Sequence, residues 1–359
     1  MMNFSPSSAD AREIWREHLD KPCLYPRTEE FYDLIRSVSA DLKELCGSRG
    51  KVLLLTAAGT TALECALASL PRNSRVLVLR NGHFGDRLYE IARRHIRSVY
   101  HFDLPFGESF REEYAEAFSA EIEKKKAKAV VLTHLETSST VVNDVELAAE
   151  IAHSGGALTI VDGVSSVGAV DCRLTEWGVN CFVAASYKAL LTPAGLNFIL
   201  ADETYLNLAR EDWSYAFDLH RLVKAADENR FQWSPNVLNL YCLQASLQMI
   251  LQEGKEKYFH RLERNAQGFR KRITQAGLCI FGDPRFLSPC FTALRLDAGY
   301  ADLWLQILRR DFDVVVGKGI GENADRLLRI GHYPHRTKHD LDLLAKALFA
   351  TAKKVINSK

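Results

Sequence analysis

Between residues 29 and 46, apolar side chains fall at Phe31, Leu34, Ile35, Val38, Leu42 and Leu45, the spacing of one buried helix face. Gly47 follows as a natural helix stop. The next apolar run, Val52-Leu-Leu-Leu55, is strand-length, and the small-residue turn Thr56-Ala-Ala-Gly-Thr-Thr61 leads into an almost wholly apolar helix, Ala62 to Leu70. Strand-length and helical runs then alternate. Strands are expected at Val76–Leu79, Val99–Phe102, Ala129–Thr133 and Leu158–Val161, and helices at Gly85–His95, Glu112–Lys126 and Val145–Ser154. That alternation predicts a largely parallel sheet covered on both faces by helices. The run from Phe182 to Lys188 and the run Asn197–Leu200 add two strands, and Val237–Gln252 adds a helix after the break at Trp233-Ser-Pro235.

Near residue 253 the pattern shifts to a long charged helix, Glu256–Ala276. Short strands follow at Leu278–Phe281, Thr292–Leu296, Val314–Val316 and Leu327–Ile330, with helices at Ala301–Arg310 and Asp340–Ile356. The chain thus reads as α/β in three parts: a mixed N-terminal segment (1–25) with a short helix near Ala9–Glu17, a large domain (26–252) and a smaller C-terminal α+β domain (253–359). Its 359 residues exceed what one core usually serves, which agrees with two domains.

Forty-six basic residues against 45 acidic ones give a net charge of +1, no field for a nucleic-acid backbone or an anionic membrane. No apolar run is long enough to span a bilayer, and no cationic-then-apolar leader opens the chain, so a cytoplasmic location is expected. The eight cysteines lie far apart without a C-x-x-C pair and read as reduced packing residues; no metal site is expected.

Two apolar runs lead to a charged residue. Leu158-Thr-Ile-Val-Asp162 and Phe182-Val-Ala-Ala-Ser-Tyr-Lys188 read as buried strands that deliver Asp162 and Lys188 to one rim of the sheet. A lysine at a buried rim has its ammonium form disfavoured, so its neutral amine can attack a carbonyl. The aldehyde of pyridoxal phosphate is one such carbonyl, and its ring nitrogen needs an aspartate partner. For an isolated pair, the plain alternative is a surface lysine and a helix-capping aspartate. The other requirements of that cofactor have candidates too. Gly59, Thr60 and Thr61 at a helix start could cradle a phosphate. Phe84 could stack on the ring or simply fill core, and Thr137 could donate to the phenolic oxygen or simply close a turn.

Several stretches carry a resemblance: Asn81-Gly-His-Phe-Gly-Asp-Arg87, Thr133-His-Leu-Glu-Thr-Ser-Ser-Thr140, Ile160-Val-Asp-Gly-Val-Ser-Ser-Val-Gly168, the run from Ser186-Tyr-Lys to Pro-Ala-Gly-Leu196, and Arg329-Ile-Gly-His332. They resemble the class V aminotransferases of pyridoxal-phosphate fold type I, most of all the alanine:glyoxylate, serine:pyruvate and 2-aminoethylphosphonate:pyruvate group. The resemblance runs from about Tyr25 to the last helix. It implies a mainly parallel large-domain sheet sandwiched by helices plus a smaller C-terminal domain. It implies Lys188 as the catalytic lysine and proton shuttle, Asp162 on the pyridine nitrogen, Val164 behind the ring and Phe84 over its other face. Gly59 and Thr60 would take the phosphate, with Thr137 near the phenolic oxygen. Ser234 would reach the phosphate of a partner subunit, making an obligate homodimer with shared sites, and Arg329 would hold the substrate's acidic group.

The implied reaction is ping-pong transfer of an amino group from a small amino acid or aminophosphonate to a 2-oxo acid such as pyruvate or glyoxylate. A lyase or decarboxylase on the same fold is the runner-up. A non-catalytic homologue is disfavoured by the intact Lys188, Asp162 and Arg329. There are two departures from the family. Its members usually open with a Gly-Pro-rich strand and loop, where this chain has Lys21-Pro-Cys-Leu-Tyr-Pro26, and they usually carry glutamine before the lysine, where Tyr187 stands. A phenol can still donate one hydrogen bond to the phosphate.

Overall fold

The computed structural model describes residues 1–211 and 213–357. The chain begins with β1 (Met2–Phe4), α1 (Arg12–Arg16), α2 (Glu29–Cys46), β2 (Lys51–Thr56), α3 (Gly59–Ala68), β3 (Arg75–Arg80), α4 (His83–His95) and β4 (Ser98–Asp103). Next come α5 (Ala115–Lys125), β5 (Ala129–Thr133), the hairpin β6–β7 (Leu135–Glu136, Val141–Val142), α6 (Val145–Ser154), β8 (Leu158–Asp162), β9 (Cys181–Ala185) and β10 (Leu196–Ala201). Helices α7 (Glu203–Leu208), α8 (Leu219–Asp227), α9 (Val237–Glu253) and α10 (Lys255–Gln275) lead to β11 (Cys279–Phe281), β12 (Phe291–Arg295), α11 (Ala301–Phe312), β13 (Val314–Lys318), β14 (Leu327–Gly331) and α12 (Lys338–Asn357).

The larger sheet has seven strands in the order β2-β10-β9-β8-β5-β3-β4. The pairs β9/β8, β8/β5, β5/β3 and β3/β4 are parallel, whereas β10 runs antiparallel to both neighbours. No helix separates β9 from β10, so the chain turns straight back instead of making the crossover that a parallel pair requires. Alternate side chains of each strand enter different cores. Val52 and Leu54 of β2, with Leu77 and Leu79 of β3, join the core under α2 and α6, while Leu53, Leu55, Val76 and Val78 join the one under α3 and α4. Both faces are therefore sealed, which is why these strands read as unbroken apolar runs.

The second sheet has the order β1-β13-β14-β12-β11. Its core pairs Phe269, Leu328 and Ile330 with Leu344 and Leu348 of α12. Strand β1 is absent from the sequence expectation: Met2 to Phe4 is too short to show alternation, yet it pairs parallel with β13 and buries Phe4 completely. The N-terminus therefore adds a strand to the sheet built by the C-terminal residues. Smaller differences are physical too. The helix expected from Glu112 opens as a 3₁₀ turn, Glu112–Tyr114, before α5. Strand β9 stops at Ala185, so Lys188 stands in the turn beyond the strand rather than on it.

Candidate active site

Strands β8 and β9 run side by side with Asp162 opposite Val183, which brings their carboxyl ends to one rim. Gly163 must follow Asp162, because a Cβ there would lie 1.9 Å from Cζ of the buried Phe182. The Asp162 carboxylate is buried; Oδ1 accepts from the Val164 N–H at 2.9 Å, and no basic side chain lies within ion-pair distance among the described residues. Burial pushes its carboxyl pKa above the ordinary range.

Lys188 is buried, and its Nζ donates to Ser165 Oγ at 2.7 Å. Desolvation pushes its pKa down to about 8, outweighing the opposing attraction of Asp162. Ser165 Oγ shares a further hydrogen bond with Thr137 Oγ1, and the Thr137 carbonyl accepts from Arg329 Nη1 at 3.2 Å. A continuous polar path therefore joins the lysine at the rim of the larger sheet to the arginine on the smaller one. Arg329 is 8% exposed, and its Nε donates to the Lys318 carbonyl at 2.9 Å. It has no carboxylate within ion-pair distance among the described residues, and burial lowers its pKa to about 10.

The ring of Phe84 lies with its centroid 5.6 Å from Lys188 Nζ, and that of Phe291 at 6.0 Å. Phe84 belongs to the first turn of α4, whose N-cap, Gly82, supplies no side chain. The capping group comes instead from the β6–β7 hairpin. Glu136 Oε2 accepts from the Phe84 and Gly85 N–H groups, each at 3.0 Å, and Oε1 accepts from the Ser138 N–H at 3.0 Å and the Ser138 hydroxyl at 2.5 Å. A Cβ on Gly82 would come within 2.6 Å of the Glu136 side chain, so glycine is what lets the carboxylate enter. Glu136 is wholly buried, and that burial raises its pKa.

Helix α3 begins at Gly59 behind Ala58, which supplies no capping side chain, so no side-chain cap claims the start of that helix. A Cβ on Gly59 would sit 3.0 Å from the Tyr187 hydroxyl and 3.2 Å from Val164 Cγ2. Tyr187 is half-buried, and the Gly59 backbone hydrogen-bonds its oxygen. Thr60 Oγ1 accepts from Arg87 Nη1 at 3.3 Å.

These groups fit pyridoxal phosphate. A buried carboxylate without a cation suits a protonated ring nitrogen, an uncapped helix start suits a phosphate, and a buried amine of lowered pKa suits an aldehyde. The sequence candidates Lys188, Asp162, Val164, Phe84, Thr137, Tyr187, Gly59, Thr60 and Arg329 lie around this one rim. Ser234, expected at the phosphate of a partner subunit, lies apart from them within its own chain: it is exposed, and its carbonyl accepts from Thr56 Oγ1 at 3.3 Å.

The N-terminal departure is relocated. Lys21–Pro26 does not lie along the Arg329 strand; Cys23 to Arg27 line a surface cavity of about 710 Å³ with Trp233 and Ser234. The strand and proline loop beside Arg329 are Met2–Ser8. The Tyr333 hydroxyl donates to the Ser7 carbonyl, a Cβ on Gly331 would meet the Ser5 carbonyl at 2.7 Å, and the Ala9 N–H donates to the Tyr187 carbonyl at 2.8 Å. Trp15 Nε1 donates to the carbonyl of Leu191 at 2.6 Å, holding that residue at φ 59° just beyond the lysine. A left-handed leucine costs on the order of 1–3 kcal/mol, so the lysine turn depends on such anchors.

Glu136, Ser165 and Arg87 were quoted within motifs but given no part by the sequence reading. An acid just after an apolar strand run, followed by Thr-Ser-Ser-Thr, is the signal that could have marked Glu136.

The sequence-family model Aminotransferase class-V matches residues 22–344. L-aspartate–glyoxylate aminotransferase of Paracoccus denitrificans is 30% identical over 362 residues, covering 98% of this chain and 90% of that relative. The small subunit of a soluble hydrogenase from Synechococcus is 29% identical over 330 residues, covering 90% of this chain and 85% of that relative. The solved structure of an alanine–glyoxylate aminotransferase from Nostoc shares the fold with a TM-score of 0.92 at 23% identity, covering 98% of this chain and 95% of that one.

Proposed function

We propose that this chain, which belongs to the class V aminotransferase family, moves an amino group from a small amino acid or aminophosphonate to pyruvate or glyoxylate. Aminotransferase activity with pyridoxal phosphate, in ping-pong order, comes with the family; the choice of substrates is the proposal. The observation that carries it is Arg329, a buried guanidinium with no acidic partner among the described residues, linked to Lys188 through Thr137 and Ser165. A planar fork with an unpaired charge favours a carboxylate or phosphonate over a neutral group. Relatives named for aspartate, serine and alanine with glyoxylate, and for 2-aminoethylphosphonate with pyruvate, support the same substrate class.

Pyridoxal phosphate, when bound, supplies the electron sink for the pair left by a departing α-proton. Lys188 would supply the amine that holds the aldehyde. Its Nζ, with a pKa pushed down to about 8, would be suited to take up and give back the proton of a bound donor's α-carbon. Ser165 orients Nζ, and Thr137 fixes Ser165. Asp162 would keep a positive charge on the ring nitrogen, and Val164 and Phe84 would confine the ring from its two faces. The Phe84 and Phe291 rings beside Nζ exclude water from the reacting centre. Arg329 aligns the acidic group of donor and acceptor in turn.

A homodimer with shared sites belongs to the same proposal. Tyr25, Trp233 and Tyr215 are 60%, 44% and 71% exposed, an aromatic surface around Ser234 that a second copy would cover. A cytoplasmic location is supported by eight unpaired cysteines. No described helix is long and apolar enough to cross a membrane.

The test is single-turnover spectroscopy of the cofactor-loaded protein with L-alanine, L-serine, L-aspartate and 2-aminoethylphosphonate. Conversion of the cofactor band by one of these, and its return on adding pyruvate or glyoxylate, is expected. A band altered without return by any 2-oxo acid would transfer the reading to a lyase.

A further inference from the structure

Arg87 has no acidic partner within ion-pair distance among the described residues, although it sits on the helix face turned toward the site. Its Nη1 reaches Thr60 Oγ1 at 3.3 Å, its Nη2 lies 3.4 Å from His83 Nε2, and its guanidinium stands over the Phe84 ring at 4.7 Å. Thr60 is the second residue of α3, so the guanidinium lies one hydrogen bond from the uncapped first turn of that helix. His83 and Phe84 hold the fork from its own helix, and neither neutralises it.

A half-buried cation with no anion of its own among the described residues, beside a helix start that has no capping side chain, has the charge and the position of a phosphate site. We propose that Arg87 is a phosphate-binding residue of the cofactor site. It closes the cradle formed by Gly59 and Thr60 and supplies a full positive charge there. The Tyr187 hydroxyl, already held by the Gly59 backbone, is neutral and cannot balance a dianion. Thr60 then acts as a hinge between the two: its hydroxyl accepts from Arg87 and can donate to a phosphate oxygen. This inference rests on the pyridoxal-phosphate reading of the site.

The same geometry allows a rival role, in which Arg87 merely props the Phe84 ring from behind. The two roles separate when the phosphate is removed from the ligand. The experiment titrates cofactor-free full-length protein with pyridoxal phosphate and with pyridoxal, following tryptophan fluorescence, for wild type, Arg87→Gln, Arg87→Lys and Phe84→Leu. Arg87→Gln should bind pyridoxal phosphate about 10- to 100-fold more weakly, the loss of one charge-assisted fork, and pyridoxal unchanged. Arg87→Lys keeps the charge without the fork and should fall between, and it also serves if Arg87→Gln does not fold. Phe84→Leu should weaken both ligands alike. An equal loss of both ligands in the Arg87 variants, or no loss of either, overturns the phosphate role and leaves the cofactor reading standing. Wild-type protein that binds neither ligand overturns both.

Discussion

Replacing Glu136 with glutamine asks whether a buried carboxylate is what holds Phe84 against the lysine. The two oxygens of Glu136 receive four donors in two pairs: the Phe84 and Gly85 N–H groups on one side, the Ser138 N–H and hydroxyl on the other. Glutamine has one oxygen, so one pair must face an NH₂ group. The cheaper arrangement turns the oxygen to α4 and the NH₂ to Ser138. The Ser138 hydroxyl, which also accepts from the His83 N–H at 3.1 Å, can rotate to accept, but the Ser138 N–H is orphaned. A buried orphan costs about 1–3 kcal/mol. Losing negative charge at the α4 N-terminus costs about 0.3–1 kcal/mol more. Against these stands relief from burying a charge, so a net destabilisation of about 2 kcal/mol is expected. Folding raises the Glu136 pKa, so its stabilisation is complete below the unfolded carboxylate pKa and is lost as pH rises through the folded value. The gap between wild type and Glu136→Gln should accordingly narrow with rising pH. Urea unfolding at two pH values measures the gap, and visible circular dichroism of the loaded protein reports the ring's neighbour. A variant equal to wild type in both would show that the carboxylate does not position Phe84.

Further outcomes follow from the same geometry. Loading of cofactor-free protein should accelerate about tenfold per pH unit up to about pH 8 and then level off, because only neutral Lys188 reacts; a rate still climbing near pH 10 would mark an ordinary exposed lysine. Asp162→Asn keeps an acceptor for the Val164 N–H but removes the charge, and should lower kcat by about 100-fold while the protein still binds cofactor; unchanged kcat would remove Asp162 from the ring nitrogen. Arg329→Gln should raise KM for the 2-oxo acid about 10- to 100-fold with the cofactor spectrum intact, whereas an altered spectrum would place Arg329 on the cofactor. In native protein no more than two of the eight thiols should react with a disulfide reagent, those of Cys23 and Cys279; early reaction of a third would contradict the burial of the other six.

What the sequence made legible is what depends on neighbours along the chain. Helix α2 shows its buried stripe because one face meets one core, and β5 and β8 show unbroken apolar runs because both faces are covered. Asp162 and Lys188 stood out for a related reason: each is a lone charge following residues that can only be interior. Strand β1 was silent because three residues carry no period, and its partner β13 lies at the far end of the chain. The lysine turn looked like a continuation of β9 because Ser186 and Tyr187 continue the run, while the bonds that end it, from Ala9 and Trp15, come from the N-terminal segment.

Glu136 and Arg87 mark the deeper limit. Neither has a local role that spacing can reveal. Glu136 sits in a hairpin yet caps a helix that begins some fifty residues earlier, through a gap that exists only because Gly82 has no Cβ. Arg87 reads as one more charge on an amphipathic helix until the fold brings Thr60 beside it and, among the described residues, no acid to pair with it. The absence of an expected partner is a property of the assembled site. For a cofactor enzyme such absences are informative: on the proposed reading, the groups without an ion-pair partner among the described residues, Asp162, Arg87 and Arg329, match in charge a cationic ring nitrogen, a phosphate and an acidic substrate.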